Sequence, residues 1–283
     1  MDSKSSFKNL ITDLPRNIFS GFVVSLIALP LGLGLAIASG APPMAGIVSA
    51  IVGGSVVALI GGSNLTITGP GNGLVIVVLS AILTLGEGDN YEGYLFTLAA
   101  IIISGLILVL FGVFRLGSLS EFFPSSALQG MLAAIGIGIL ATQVHVMFGL
   151  SSQKGSALEQ ISAIPETILY LIKNPTINTL LAAAIGCISL FFMFAYSKIR
   201  IPLFHLIPAP MWVVIGSIGV VYYYELMLNS RAPISQELMI RLPENFLGDF
   251  PAPNFTKVLN IDFIGFTLSI TLVAFLESLL SIK

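Results

Sequence analysis

Of the 283 residues in the chain, 55% are hydrophobic and only 9% are charged, and the formal net charge at pH 7 is -2. Because an ordinary soluble domain has about 25% charged residues, this composition excludes a soluble globular protein. No basic cluster indicates nucleic-acid binding, and the single cysteine, Cys187, excludes a disulfide framework. The composition therefore predicts a protein that crosses a membrane several times.

The polar residues 1–17 predict a cytoplasmic lead into a helix that stays in the membrane, rather than a cleaved signal peptide. Apolar stretches then recur that are long enough to cross about 30 Å of hydrocarbon as helices. The hydropathy of the chain predicts seven such spans. They are Ile18–Ala38, Ala45–Gly61, Leu95–Phe114, Ser126–Phe148, Ile177–Tyr196, Met211–Leu228 and Phe263–Ile282.

An eighth apolar stretch, Gly71–Leu85, is too short to cross alone because it covers only about 22 Å as a helix. The preceding residues Asn64–Thr68 have strand character and would add about 16 Å of extended chain. Gly69, Pro70 and Gly71 lie between the two parts. We predict a half-strand, a break near the midplane and a half-helix, which together make one crossing.

Small residues recur at every fourth position of the first two spans. A ridge of this kind lets another helix backbone approach closely, which is a main source of helix packing in lipid. The ridges are Gly32, Ala36 and Gly40 in the first span, and Gly46, Ala50, Gly54, Ala58 and Gly62 in the second.

The distribution of charge supports this topology with the N-terminus inside. The short inside connections then carry Lys4, Lys8, Arg16, Arg115, Lys198, Arg200 and Lys283. The first outside loop, "GEGDNYEGY", has three acidic residues and no Lys or Arg. This agrees with the positive-inside rule, which long loops obey less strictly. We expect two such long outside loops, at about 149–175 and 229–261.

The break predicts an anion site. Broken backbone is tolerated in hydrocarbon only where it is buried in protein or lines a cavity. Gly71, Asn72 and Gly73 would present N–H groups at the positive end of the half-helix dipole, which favours an anion. One helix end contributes at most about 2 kcal/mol and cannot form the whole site. A partner half-helix would lie beyond Lys283. The alternative is a proline kink at Pro70 without a ligand.

One carboxylate, Glu277, lies well inside an apolar span. An ionisable group at such a depth is by default a functional hypothesis, often a proton or cation relay. Ser278 and Ser281 would add hydroxyl ligands, whereas an interfacial location near Lys283 is the alternative. His145 near the end of its span is predicted to be an interface residue. No Ser/His/Asp set, metal cluster or carboxylate pair is apparent, so an enzyme is not expected.

Four motifs together resemble the SulP family of inorganic anion transporters, which is related to animal solute carrier family 26. They are "ALPLGLGLAIASGAPPMAGIVSAIVGG", "GGSNLTITGPGNG", "ALQGMLAAIGIGILATQVHVMFG" and "FLESLLSIK", in the family's order. The resemblance implies an all-α integral membrane fold of fourteen segments in two inverted repeats of seven, usually followed by a STAS domain. This chain would hold the first repeat and the first span of the second, without the second half-helix or a STAS domain.

The resemblance also implies that the chain contributes to two domains with different roles. Residues 18–114 (segments 1–4) and 263–283 (segment 8) would belong to a substrate-carrying core domain, residues 126–228 (segments 5–7) to a gate domain, and residues 229–261 to an extracytoplasmic loop. The substrate-binding residues would be Gly71, Asn72, Gly73, Thr68, Pro30 and Leu31, and the coupling residues Glu277 and Ser278. Leu31 replaces a glutamine common in relatives, and Asn72 a small or hydroxyl residue.

The function expected from these observations is secondary active transport of a small inorganic anion, sulfate or bicarbonate, coupled to H+ or Na+. The core would move like an elevator against the gate. We expect a multi-pass protein of the cell inner (plasma) membrane, without a cofactor other than the coupling ion, and a homodimer. A passive anion channel or exchanger is one alternative, and a nucleobase or other neutral-solute carrier of the same fold is another.

Overall fold

The computed structural model describes residues 14–60, 67–117, 125–150, 157–199, 204, 207–227, 234, 238–240 and 250–280. Helices are the only regular elements in this part of the chain. They are α1 Leu14–Ala38, α2 Pro43–Val52, α3 Ala58–Ile60, α4 Val75–Leu85, α5 Asn90–Val113, α6 Ser125–Met147, α7 Ala157–Lys173, α8 Ile177–Tyr196, α9 Ala209–Met227 and α10 Ile261–Leu280. The fold is all-α, as the sequence predicts.

Each apolar span predicted from the sequence corresponds to helical structure where its residues are described. Within the described residues, five helical stretches are long and apolar enough to cross a membrane: Asn17–Ala38, Pro43–Ile60, Asn90–Val113, Ile177–Tyr196 and Ile261–Ser278. Shorter apolar helical stretches are Asn72–Leu85, Leu132–Met147 and Ala209–Tyr224. The second span contains an irregularity that the sequence does not predict, a π-helical turn at Gly53–Val57. Such turns inside α-helices are frequent at functional sites.

The expected outside loop at about 149–175 is wrong in one respect, because it contains the 17-residue helix α7. This helix is too short and too charged to register as a span, with Glu159, Glu166 and Lys173 along it. One of its faces packs against α6. There, His145 of α6 is fully buried, with Nδ1 2.7 Å from the Thr167 hydroxyl and Nε2 3.0 Å from the Gln160 carbonyl. His145 therefore joins two helices instead of facing the interface.

Helices α1 and α2 approach each other closely at glycines of the predicted ridges. A Cβ on Gly32 would lie 2.7 Å from the Gly46 carbonyl oxygen, and a Cβ on Gly46 would overlap the Gly32 carbonyl. Gly54 does not take part, because a Cβ there would meet nothing within 4 Å. Its neighbour Gly53 faces the backbone of Thr68 and Gly69 instead. The predicted close approach of the ridges is thus confirmed at Gly32 and Gly46. In the π-helical turn, a different glycine, Gly53, makes the close contact.

The hydrophobic core lies among α4, α5 and α10. It consists of Ala81, Leu85, Phe96, Ala99, Ala100, Phe263 and Ile270, all nearly inaccessible to solvent. A polar contact crosses the same interface, where the Thr271 hydroxyl donates to the Ser104 hydroxyl at 2.9 Å. Asp89 caps the start of helix α5, because its carboxylate accepts from the N–H groups of Tyr91 and Glu92 in the first turn. The short helix α4 is therefore held by two long helices: α5, which follows it in sequence, and α10, which comes from a distant part of the chain.

Candidate functional site: the broken segment and Glu277

The segment before α4 is extended but forms no strand. Ile67–Gly71 has no regular structure, and Gly71 has φ -80° and ψ 126°. A strand requires a hydrogen-bonded neighbour, and among the described residues none pairs with this segment. The predicted half-strand is therefore irregular where it can be seen, and its first three residues, 64–66, lie outside the described residues.

The half-helix, defined here as residues 72–85, begins immediately after this segment with one 3₁₀ turn at Asn72–Leu74 and continues as α4. Proline has no N–H and restricts the residue before it to extended conformations, so Pro70 keeps the helix from starting earlier. Glycines of α1 and of the π-helical turn make room for the break. A Cβ on Gly32 would lie 3.6 Å from Pro70 Cγ, and one on Gly53 would lie 3.0 Å from the Thr68 carbonyl oxygen.

The carboxylate of Glu277 lies against the start of the half-helix. The Gly73 N–H donates to Glu277 Oε1 at 3.2 Å. A Cβ on Gly73 would lie 2.7 Å from Glu277 Oε2, and a Cβ on Gly71 would lie 3.2 Å from the same atom. Any side chain at position 73 would therefore displace the carboxylate. The sequence predicted this N–H group as a donor for an external anion, and in the structure its acceptor is the predicted coupling residue.

A carboxylate at this place is electrostatically favourable. The N-terminus of a helix carries the equivalent of about half a positive charge, and a negative group near it stabilises the structure by about 0.3–1 kcal/mol, and by up to about 2 kcal/mol when partly buried. Gly73 is buried and Glu277 is half-buried. Glu277 therefore acts as a cap for the half-helix, supplied by α10 instead of by a neighbouring residue.

The other predicted site residues take part less directly. Thr68, Asn72 and Ser278 are exposed, as is Leu31 of α1, whereas Pro30 is half-buried within that helix. The structure thus brings together Gly71, Gly73 and Glu277. Among the described residues, no group of three or more His, Cys, Asp and Glu side chains is placed to hold a metal ion.

The carboxyl end of the half-helix is bound by a residue that the sequence analysis missed. Lys257 Nζ donates to the Leu85 carbonyl at 3.0 Å and to Glu87 Oε1 at 2.7 Å, and it lies 4.7 Å from the centroid of the Phe96 ring. The hydrogen bond and the charge of Lys257 lower the pKa of Glu87 from its ordinary value of 4.5. The Glu87 carboxylate is therefore ionised at neutral pH. Two features of the sequence could have indicated this ion pair: Lys257 lies just before a predicted span, and the first outside loop is acidic and has no basic residue.

The fold and the site together define a class of protein: a multi-pass helical membrane protein with a broken segment whose backbone donors face an ionisable side chain. The sequence profile of the Sulfate permease family matches residues 14–283. The chain therefore belongs to that family, and the resemblance noted from its motifs is confirmed.

Individual relatives share part of the chain. The "Putative sulfate transporter YvdB" of Bacillus subtilis is 29% identical over 136 residues, which are 48% of this chain and 24% of that protein. The "Bicarbonate transporter BicA" of Synechocystis is 30% identical over 183 residues, which are 65% of this chain and 32% of that protein. The chain thus spans about a quarter to a third of the length of these relatives.

A solved structure has the same fold. The structure described as "The transmembrane domain of a cyanobacterium bicarbonate transporter BicA" has a TM-score of 0.67 to this chain at 22% sequence identity. The similarity covers 92% of this chain and 62% of that one. At this identity the similarity establishes the fold of the chain and not its substrate.

Proposed function

We propose that this chain is part of a secondary active transporter of a small inorganic anion, sulfate or bicarbonate, coupled to H+ or Na+. The relatives are named as sulfate and bicarbonate transporters, which supports an oxyanion as substrate. The single observation that carries the proposal is the hydrogen bond from the Gly73 N–H to the Glu277 carboxylate. This hydrogen bond directly connects one of the predicted anion donors with the predicted coupling residue.

The magnitudes of the two charge effects explain how coupling arises. Two like unit charges 4 Å apart repel by about 4 kcal/mol at an effective dielectric constant of 20. One helix terminus attracts an anion by at most about 2 kcal/mol. An anion at Gly71–Gly73 beside an ionised Glu277 is therefore disfavoured. The anion binds when a proton or Na+ neutralises the carboxylate, and by linkage the bound anion favours uptake of that cation to the same degree.

We expect the remaining predicted residues to line the same site. Thr68 and Asn72 flank the break, and their exposure leaves them available to a ligand. Pro30 and Leu31 lie just before Gly32, whose backbone faces Pro70. Ser278 follows Glu277 on α10 and would help to hold the coupling ion. The second half-helix, expected from the inverted repeat, would supply donors from the opposite side.

The movement that carries the site across the membrane would be elevator-like. Residues 18–114 and 263–283 would form the moving core domain, and residues 126–228 the gate domain. The hydrophobic core shared by α4, α5 and α10 supports such a division, because it ties segments of residues 18–114 to residue 263 onward. We further infer a multi-pass protein of the inner (plasma) membrane with its N-terminus in the cytoplasm, assembled as a homodimer. Its activity is transport and not catalysis.

A second candidate is a carrier of a neutral solute such as a nucleobase. One observation favours it: a carboxylate lies in the site, where it would accept hydrogen bonds from N–H donors of a neutral ring. A passive anion channel or exchanger is the third candidate. Unlike the proposed coupled transporter, it would require no cation gradient.

The test is uptake by the complete protein in proteoliposomes. Labelled sulfate and bicarbonate would be compared under imposed Na+ or H+ gradients, with Glu277→Gln as the test variant and Glu166→Gln, an exposed carboxylate on α7, as the matched control. We expect one anion to accumulate against its gradient in the wild type and in Glu166→Gln, and only to equilibrate in Glu277→Gln.

The other outcomes separate the candidates. Accumulation that survives in Glu277→Gln would exclude Glu277 as the coupling residue. Equilibration without any response to cation gradients, in the wild type as well, would indicate a channel or exchanger. Uptake of uracil but of neither anion would exclude the anion site and support the neutral-solute carrier.

A further inference from the structure

Both ends of the half-helix are bound to one stretch of chain, which runs from the turn before α10 to the last turns of that helix. At the amino end, the Gly73 N–H donates to Glu277. At the carboxyl end, the Leu85 carbonyl accepts from Lys257. The proposed function uses the first contact only. The second lies about 20 Å away along the helix axis, the length of a helix of this size.

Lys257 makes more contacts than an ordinary surface lysine. An exposed ion pair alone contributes little, because water screens it and both side chains lose freedom. Here the Lys257 side chain is 26% exposed and that of Glu87 is 72% exposed. The ammonium group also donates to a carbonyl at the negative end of a helix dipole and lies over the Phe96 ring, and both contacts favour a cation. Three independent contacts thus hold one charge.

The backbone conformation of Glu87 also indicates that the ion pair with Lys257 is required. Its φ is 48°, in the left-handed region that a glycine adopts without strain and a glutamate does not. The turn alone would therefore favour glycine at this position. Strain of this kind persists where surrounding structure requires the residue. The requirement here is the carboxylate, since its Oε1 is the ion-pair partner of Lys257.

A contact that fixes one end of the half-helix also fixes the position of its other end, because the helix is stiff and packed along its length. Ala81 and Leu85 of the half-helix are buried against Phe96, Phe263 and Ile270 of the neighbouring long helices. A slide of the half-helix by one residue would move its amino end by about 1.5 Å. The contact from Gly73 N to Glu277 Oε1 is already 3.2 Å, so this slide would break it.

We propose that Lys257 is a positioning residue for the anion site: by fixing the carboxyl end of the half-helix, it sets the register between Gly73 and Glu277 at the other end. Glu87 acts through Lys257 in the same role. This inference rests on the proposed function for its consequence in transport, but its structural part does not.

The first measurement is hydrogen exchange of the complete protein in lipid nanodiscs, resolved to the peptides that contain residues 72–76 and 83–87. The test variants are Lys257→Met, which keeps the length of the side chain and removes its charge, and Glu87→Gln. Lys257→Arg is the conservative variant, and Lys173→Met removes an exposed lysine from α7 as the control.

We expect Lys257→Met to accelerate exchange at both ends of the half-helix by about fivefold or more, since exchange reports local opening. Glu87→Gln should do so less, Lys257→Arg should retain most of the protection, and Lys173→Met should change nothing. Faster exchange at 83–87 with unchanged exchange at 72–76 would show that Lys257 acts only locally, and would overturn the proposal. So would unchanged exchange at both ends.

The second measurement is anion uptake by the same variants. A positioning role predicts an apparent KM about threefold to tenfold higher in Lys257→Met, which is within the range of typical couplings between distant sites. It also predicts a nearly unchanged maximal rate and recovery in Lys257→Arg. A lower maximal rate at unchanged KM would overturn the positioning role. If the wild type moves neither anion, the proposed function fails, and the exchange data alone then decide whether Lys257 sets the register of the half-helix.

Discussion

The cluster of α4, α5 and α10 differs from the pair α8 and α9 in how much of its apolar surface is covered. In the most apolar windows of α5 and α10, 28% of the residues are buried, against 6% in α8. Apolar side chains of α8, such as Ile188 and Phe191, remain 67% and 75% exposed. The first region therefore completes a core from this chain alone, whereas the second presents its apolar surface outward.

The polar contacts of the two regions differ in the same way. In the first, hydrogen bonds join residues far apart in sequence, as from Thr271 to Ser104. In the second, they are local: Tyr196 donates to the Ile207 carbonyl, and Trp212, stacked on Phe204, donates to the Phe204 carbonyl. Long-range contacts fix helices relative to one another, and local contacts fix only a turn. The first region is thus suited to hold a site at constant geometry.

The largest expected effect comes from adding a methyl group where two backbones touch in the first region. A Cβ on Gly93 of α5 would overlap the Ile82 carbonyl oxygen of α4. Gly93→Ala should therefore lower the free energy of unfolding by about 1–3 kcal/mol or more, the usual cost of overpacking. Thermal denaturation of the purified protein would measure this as a lower midpoint.

The matched variant lies in the second region, where a Cβ on Gly219 of α9 would meet nothing within 4 Å. Gly219→Ala should be neutral or stabilising by about 0.5–1 kcal/mol, because alanine loses less backbone entropy in a helix. Equal destabilisation by the two variants would mean that the two regions are packed alike.

An intermediate decrease in the free energy of unfolding is expected at His145. This residue links α6 to α7, although it lies outside the first region. His145→Leu removes both hydrogen bonds of the ring and leaves the Thr167 hydroxyl and the Gln160 carbonyl without them. Loss of such buried contacts costs about 1–3 kcal/mol. Gln143→Leu is the control, since among the described residues its amide reaches only the neighbouring Thr142, at 3.4 Å. If both variants have the same denaturation midpoint, the histidine is not a structural link.

The smallest effect is expected at the hydroxyl contact between α5 and α10. Thr271→Val keeps the branched side chain and removes the bond to Ser104, together with a bond to the Thr267 carbonyl in the same helix. The bond between the helices should contribute about 0.6 kcal/mol, the average for hydrogen bonds between membrane helices. A double-mutant cycle with Ser104→Ala isolates that term. Ser269→Ala is the control, because Ser269 bonds the carbonyl of Gly265 in its own helix. A coupling energy of zero in the cycle would show that the contact contributes nothing.

Sequence patterns found the spans but not every helix. The ends of the predicted span Ile177–Tyr196 coincide with those of α8, because a long apolar run has no alternative structure in lipid. Helix α7 was missed because its apolar residues share its surface with charged ones, and a hydropathy window averages the two. The half-strand was predicted from composition, which cannot supply the neighbouring strand that regular pairing needs.

The sequence by itself determined the family, the spans and the place of the break. Pro70 has no N–H, and glycines on both sides free the backbone, so the interruption is local and readable. Only the tertiary structure decided what the break faces. The Glu277 carboxylate, 204 positions away, accepts from Gly73, and Lys257 holds the far end of the same half-helix. Such pairings depend on which helices pack together and in what register, and no local periodicity encodes either.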